Sequence, residues 1–290
     1  MYTPTAKALA TPDGQTLVSF AWPWRRDDVP RAHVLLVHGL GEHARRYDAL
    51  AMWFQNQGIS VWAYDQRGHG ASSGARATLP TPDALLDDLD VVWQAFTNAH
   101  NNGVPLLVLG HSMGGLVVMR WLQRDDHAQQ PRMPAAAIIS SPALGVHANG
   151  LEQWLVKLLA RHLPNVRLGN GLKLQGLSHD PAVIEAYKQD PLVHKYITPR
   201  LVQWIVANGQ HVVGGAAKWA VPSLLMYAGA DALVDPKAAD TFAKAAPANV
   251  QTQRLDAAFH EIFNESAQYR DQALATLGQW LDALLGDTTS

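Results

Sequence analysis

Residues Leu106 to Trp121 read LLVLGHSMGGLVVMRW, an apolar run, a corner of glycines around one serine, and a second apolar run with no loop between them. The first run, Pro105–Gly110, has the length and character of a strand buried on both faces, and Gly115–Arg124 reads as a helix. Few folds let a chain leave a strand and enter a helix within one turn. In an open parallel sheet that turn lies at the C-terminal edge of the strand, where ligands bind. Gly110-His111-Ser112-Met113-Gly114 fits G-x-S-x-G between a strand and a helix, the context in which the serine is a nucleophile. A Cβ in place of the glycines would crowd the neighbouring strand and helix. Ser112 itself lies at a helix N-terminus, which favours developing negative charge.

The rest of the chain repeats the alternation. Strands are expected at Thr16–Trp22, His33–His38, Ile59–Tyr64, Ala135–Ser140, Ser223–Ala228 and Val250–Leu255, several of them continuous apolar runs. Helices fit between, at Tyr47–Asn56, at Pro82–Ala99 with Thr81 as its cap, and at Glu265–Leu285. Strands alternating with helices predict an α/β protein with a mostly parallel central sheet flanked by helices.

One stretch breaks the pattern. About eighty residues between Ser140 and Pro222 carry no strand signal, too many for a loop in a compact domain. They show helical spacing instead. Leu151, Trp154, Leu155, Leu158 and Leu159 form one apolar stripe, and Thr198-Pro199 opens a second helix bearing Leu201, Val202, Trp204 and Ile205. Residues 1–140 and 221–290 therefore read as the core, and 141–220 as a helical insertion above the sheet. Leu151, Trp154, Leu155 and Leu158 are expected to border a tunnel for an apolar part of a substrate.

A serine hydroxyl needs a base to take its proton and a third group to orient that base. In this class of sheet the chain order is serine, acid, histidine. Asp231 follows the Ser223–Ala228 strand directly, whereas Asp235 precedes Pro236 and reads as a helix cap. His260 follows the last strand at loop distance. Acyl transfer also needs donors for the oxyanion, and the N–H groups of Met113 and of Leu40, in His38-Gly39-Leu40-Gly41, are placed to supply them.

Composition narrows the alternatives. The 290 residues are 48% hydrophobic and 17% charged with net charge −2, which suits a globular domain and gives no nucleic-acid footprint. There is no cysteine, so thiol catalysis and thiolate metal sites are excluded. No basic-then-apolar leader pattern is seen in the opening residues, and no apolar run approaches the roughly 18 residues of a membrane span. A cytoplasmic protein is expected, of open oligomeric state.

HGLGEHARRY (38–47), YDQRGHGASSG (64–74), GHSMGG (110–115), SHDPAVIEAYKQDPLVH (178–194), GADALVDP (229–236) and HEIFNE (260–265) together resemble α/β-hydrolases of the monoacylglycerol lipase and lysophospholipase group, the serine aminopeptidase-like hydrolases. The resemblance spans most of the chain. It implies the α/β-hydrolase fold with a helical cap, a triad of Ser112, Asp231 and His260, an oxyanion hole from Leu40 and Met113, and no cofactor or metal. It also implies that Glu42 and Arg46 shape the polar end of the pocket, and that Asp65, Arg67 and His69 organise a loop. The implied substrate is a small lipid-like ester, foremost a monoacylglycerol, with transient contact between the cap and lipid surfaces. Lysophospholipids and short-chain carboxylic esters are the alternatives.

Overall fold

The computed structural model describes residues 3–22, 24, 28–124, 132–147 and 150–286, with the side chains of residues 150–154 outside that description. Eight strands form one sheet: β1 (Thr5–Ala10), β2 (Thr16–Trp22), β3 (Ala32–Val37), β4 (Ile59–Tyr64), β5 (Leu106–His111), β6 (Ala136–Ser140), β9 (Ser223–Ala228) and β10 (Val250–Leu255). Their spatial order is β1-β2-β4-β3-β5-β6-β9-β10. β2 pairs antiparallel with both β1 and β4; from β4 to β10 every pairing is parallel.

The central strands β3, β5, β6 and β9 are buried at every position. Period-two alternation sends their side chains into two cores. Leu35, Val37, Val108 and Leu225 join one core with α2 (Ala84–Ala99), α3 (Met113–Leu122) and α7 (Pro236–Ala245). Val34, Leu36, Leu107 and Met226 join the other with α1 (Asp48–Asn56) and α8 (Ala267–Leu285). This two-sided cover is why those strands read as unbroken apolar runs.

β1 is not anticipated from the sequence. TAKALA is an exposed edge strand whose composition favours helix, and it exists because β2 offers it a ladder. Thr81 is not the cap expected of α2. The helix starts at Ala84 with Asp83 at its cap position and no side-chain cap bond. The preceding turn serves the inserted segment instead: Pro82 O accepts from Trp204 Nε1 at 2.6 Å, and Leu79 O accepts from Arg200 at 2.9 Å.

Between β6 and β9 the chain leaves the sheet. It forms α4 (Gly150–His162), a two-residue pairing of β7 (Leu168–Gly169) with β8 (Tyr196–Ile197), then α5 (Pro181–Gln189) and α6 (Pro199–Gly214). Thr198 caps α6 as expected, its hydroxyl accepting from Leu201 N at 3.3 Å. Leu201 and Trp204 anchor α6 in the α2–α3 core. Among the described residues, no helix is long and apolar enough to cross a membrane.

Candidate active site

Ser112 sits between β5 and α3 at φ 54°, ψ −121°. This region costs a non-glycine residue about 1–3 kcal/mol and persists only where the surroundings impose it. Here Ser112 N donates to Ser140 O at 3.0 Å, and Ser112 O accepts from Ala143 N at 3.0 Å and Leu116 N at 3.1 Å. The glycines allow the close approach. A Cβ on Gly114 would strike the carbonyl oxygens of Val37 and His38, so α3 begins directly against the end of β3.

The loop after β9 carries Asp231, and the loop after β10 carries His260. Asp231 Oδ2 lies 2.6 Å from His260 Nδ1, while Oδ1 accepts from Leu233 N and Val234 N at 2.8 and 3.0 Å. A carboxylate only accepts here, so Nδ1 carries the proton and Nε2 is left for the cavity. Burial opposes ionisation of Asp231, but His260 and the two N–H groups outweigh it and hold its pKa below the ordinary value. Burial likewise opposes charging of His260; the facing Asp231, Glu261 and Glu42 overcome that and raise its pKa. Asp235 takes no part. It caps α7 by accepting from Lys237 N at 3.0 Å.

Ser112 and His260 border one cavity of about 400 Å³ with Leu40 and Met113. The N–H groups of Leu40 and Met113 have no acceptor among the described residues. The neighbouring N–H, that of Gly39, is taken by Glu42 Oε1 at 2.6 Å. Glu42 therefore fixes the loop as well as facing the cavity. Its other bonds run to Tyr47 at 2.7 Å and Arg46 at 2.6 Å. Arg46 is shared between Glu42 and Glu261 and lies 4.7 Å over the Tyr187 ring. Although burial pushes the Glu42 pKa up, Arg46, His111 and His38 bring it down to about 2.

Asp65 and Arg67 hold loops, as expected. Asp65 accepts from Ala44 N and Ala71 N at 2.8 and 2.7 Å, and Arg67 pairs with Asp88 and Asp13. His69 Nδ1 bonds Arg67 O at 2.9 Å, outside the cavity lining.

The expectation for α4 needs correction. Leu155 and Leu158 do not border the cavity; they point outward, 47% and 40% exposed. The side chains of Leu151 and Trp154 lie outside the described residues. The apolar wall comes instead from Val202 and Ile205 of α6, with Leu172, Leu177 and Val146. The physical reason is that α6 is pinned to the core beneath it, whereas α4 packs on α6 from outside.

Sequence reasoning also missed His111, Tyr187 and Glu261, all in the cavity lining. His111 Nδ1 lies 3.0 Å from Ser140 Oγ, and burial plus His260 push its pKa down to about 4. It is a neutral wall beside the base. The motif stretches contained all three, but only their facing partners mark them. Among the described residues, no group of three or more His, Cys, Asp or Glu side chains could hold a metal ion.

The sequence model of the family described as "Hydrolase_4: Serine aminopeptidase, S33" matches residues 28–267. The chain belongs to this family. Within Hydrolase_4, it is 33% identical over 250 residues to a monoacylglycerol lipase of Mycolicibacterium smegmatis, covering 84% of this chain and 86% of that one. It is 32% identical over 284 residues to an abhydrolase domain-containing protein of Dictyostelium discoideum; there it covers 96% of its own length but spans only 29% of that longer protein. The Hydrolase_4 fold superposes with a TM-score of 0.87 on the crystal structure of a soluble variant of Saccharomyces cerevisiae monoglyceride lipase in complex with a substrate analogue. That pair is 25% identical and covers 98% and 96% of the two chains.

Proposed function

We propose that this chain is a serine ester hydrolase acting on lipid-like esters, foremost monoacylglycerols, through an acyl-enzyme. The observation that carries the reading is the convergence of Ser112, the His260–Asp231 pair and two unengaged backbone N–H groups on one largely apolar cavity. His260 Nε2 takes the Ser112 proton as Oγ attacks the acyl carbonyl. Asp231 stabilises the resulting imidazolium. The Leu40 and Met113 N–H groups receive the oxyanion. The tetrahedral species then collapses, the ester bond breaks, and His260 returns the proton to the departing alkoxide. Water repeats the sequence and frees the acid. The acyl chain lies along Val202, Ile205, Leu172 and Leu177, and the alcohol faces Glu42 and Tyr187.

In this reading residues 141–220 act as a cap. Its outward side exposes Leu155, Leu158, Leu163, Val166, Leu168, Leu192 and Tyr196. Exposed apolar side chains of this kind suit transient contact with lipid surfaces, which fits the substrate class. A cytoplasmic location is part of the same proposal and is tested by fractionating cells that express the chain.

A second reading, lysophospholipid hydrolysis, is favoured by Lys173. It lines the cavity, is exposed, and has no carboxylate partner among the described residues. One panel tests both: monoacylglycerols, lysophospholipids, p-nitrophenyl esters of graded length and aminoacyl amides. We expect monoacylglycerols to lead, the amides to be inert, and Ser112→Ala to lose about six orders of magnitude in kcat, as when other serine-hydrolase nucleophiles are removed. Turnover surviving in Ser112→Ala overturns the scheme.

A further inference from the structure

The inserted segment is bonded to both loops that the proposed chemistry uses, and α5 runs between the two attachments. At the N-terminal attachment, His260 N donates to Gly176 O at 3.2 Å and Glu261 N donates to Leu177 O at 2.9 Å. Ser178 Oγ donates to Asn264 O at 3.1 Å. Beside them His179 Nδ1 lies 2.6 Å from Oε1 of Glu265. Glu265 is completely buried, and its oxygens also accept from Phe259 N, His179 N and Ser266 N at 2.8, 2.9 and 2.7 Å. The His179 ring stacks on Phe259, the residue before His260, with centroids 3.6 Å apart.

At the C-terminal attachment, His43 Nε2 lies 2.8 Å from Asp190 Oδ2, and His194 N donates to Gly41 O at 2.8 Å. Gly41 follows Leu40, and at φ 79° it leaves no room for a Cβ, which would stand 2.5 Å from His194 O. One histidine–carboxylate pair thus stands at each end of α5, one toward the base and one toward the oxyanion donor. Neither Glu265 nor Asp190 borders the cavity, so neither can touch substrate.

We propose that α5 is a fixed strut of the catalytic frame and that Glu265 and Asp190 are positioning residues. Glu265 acts through His179 on the loop of His260. Asp190 acts through His43 on the loop of Leu40. A nine-residue helix is about 13 Å of stiff backbone, so pinning both ends fixes the spacing of two loops that lie more than 200 residues apart in sequence. A misplacement on the order of 1 Å costs on the order of 100-fold in rate, so holding this spacing bears directly on turnover. The proposal rests on the acyl-transfer reading above.

The test compares Glu265→Gln, His179→Phe and Asp190→Asn with the parent on p-nitrophenyl butyrate. Active sites are counted by fluorophosphonate labelling, and Ser112→Ala is the blank. His179→Phe keeps the stack on Phe259 and removes only the bond to Glu265, so it carries the test if Glu265→Gln does not fold. Asp282→Asn, which loosens a distant pair with Arg31 at 2.9 Å, is the control for general damage. Each positioning variant is expected to lose about 10- to 100-fold in kcat per labelled site, with KM little changed.

The pH profile separates the two ends. His260 faces Asp231, Glu261, Glu42 and His111, and Asp231 is the carboxylate that most favours its charged form. Loosening that loop moves the acid limb of kcat/KM to lower pH in Glu265→Gln and His179→Phe, and leaves it in place in Asp190→Asn. Unchanged kcat per site, whatever happens to the melting temperature, overturns the proposal. Lost turnover with an unmoved limb in both base-end variants overturns the role of Glu265. Activity retained in Ser112→Ala shows instead that the underlying reading has failed.

Discussion

The corner around Ser112 and the outer helix α4 are built on opposite terms. At the corner every residue from Leu106 to Met119 is buried, and a strained backbone is held by neighbours on three sides. On α4, two of the leucines that make its apolar stripe face solvent. Both stretches are apolar and periodic in sequence. The difference lies in what each meets: the corner lies across a sheet that covers it, and α4 lies on α6, which has already spent its apolar side on the core. In the proposed reading, chemistry is set at the buried corner, and access and substrate preference fall to the segment packed outside it.

The largest effect expected inside the rigid region belongs to Asp231. Asp231→Asn should lower kcat by about 10⁴, the scale seen when a triad acid is amidated. Asp235→Asn should keep kcat and nearly keep the denaturant midpoint, because asparagine caps a helix about as well as aspartate. If the two variants ranked the other way, Asp235 and not Asp231 would be the acid.

Next in size is Arg46, which lies between Glu42 and Glu261 at the joint of the two regions. Arg46→Met strands two buried carboxylates, and about 3–5 kcal/mol of stability should go with it. The sign of the pH dependence follows from Glu42. Its pKa is lowered from 4.5 to about 2, so its contribution is present above 4.5 and is lost as pH falls through about 2. Chemical denaturation of the parent between those values should show the decline. In Arg46→Met the decline should shrink or reverse, because burial raises the Glu42 pKa and the largest charge that depressed it is gone.

The smallest effects belong to the outer segment and test the comparison most finely. Each methylene buried along the cavity wall contributes about 0.8 kcal/mol, so two carbons of acyl chain are worth somewhat more than tenfold in kcat/KM. Val202→Ala should flatten that rise across a p-nitrophenyl ester series. Leu155→Ser and Leu158→Ser should leave both the series and the melting temperature unchanged, and lower turnover only when the ester is presented in vesicles. A flattened series in Leu155→Ser would return α4 to the cavity wall.

The sheet was legible because β3, β5, β6 and β9 announce themselves as continuous apolar runs, and the serine corner because glycine, serine and glycine fall at fixed offsets between a strand and a helix. The pairing of His260 with Asp231 followed from chain order together with the place of each residue just past a strand. What stayed hidden were facts of facing. Nothing in the stripe of α4 says that α6 lies beneath it, and periodicity alone cannot distinguish a helix that touches the core from one that touches that helix. Glu265 was read as the start of α8, yet its carboxylate serves backbone N–H groups in a loop and in the insertion. TAKALA was passed over because an edge strand borrows its conformation from its neighbour.

The left-handed backbone of Ser112 carries a lesson for anyone selecting variants of this chain. The proposed nucleophile occupies a conformation that glycine adopts freely, so the most direct relief of its strain is also the loss of its hydroxyl. A library screened by heat alone is expected to favour Ser112→Gly, a tougher protein that turns over nothing. Robustness and turnover here compete for a single side chain, and a selection that asks for only one of them will discard the other.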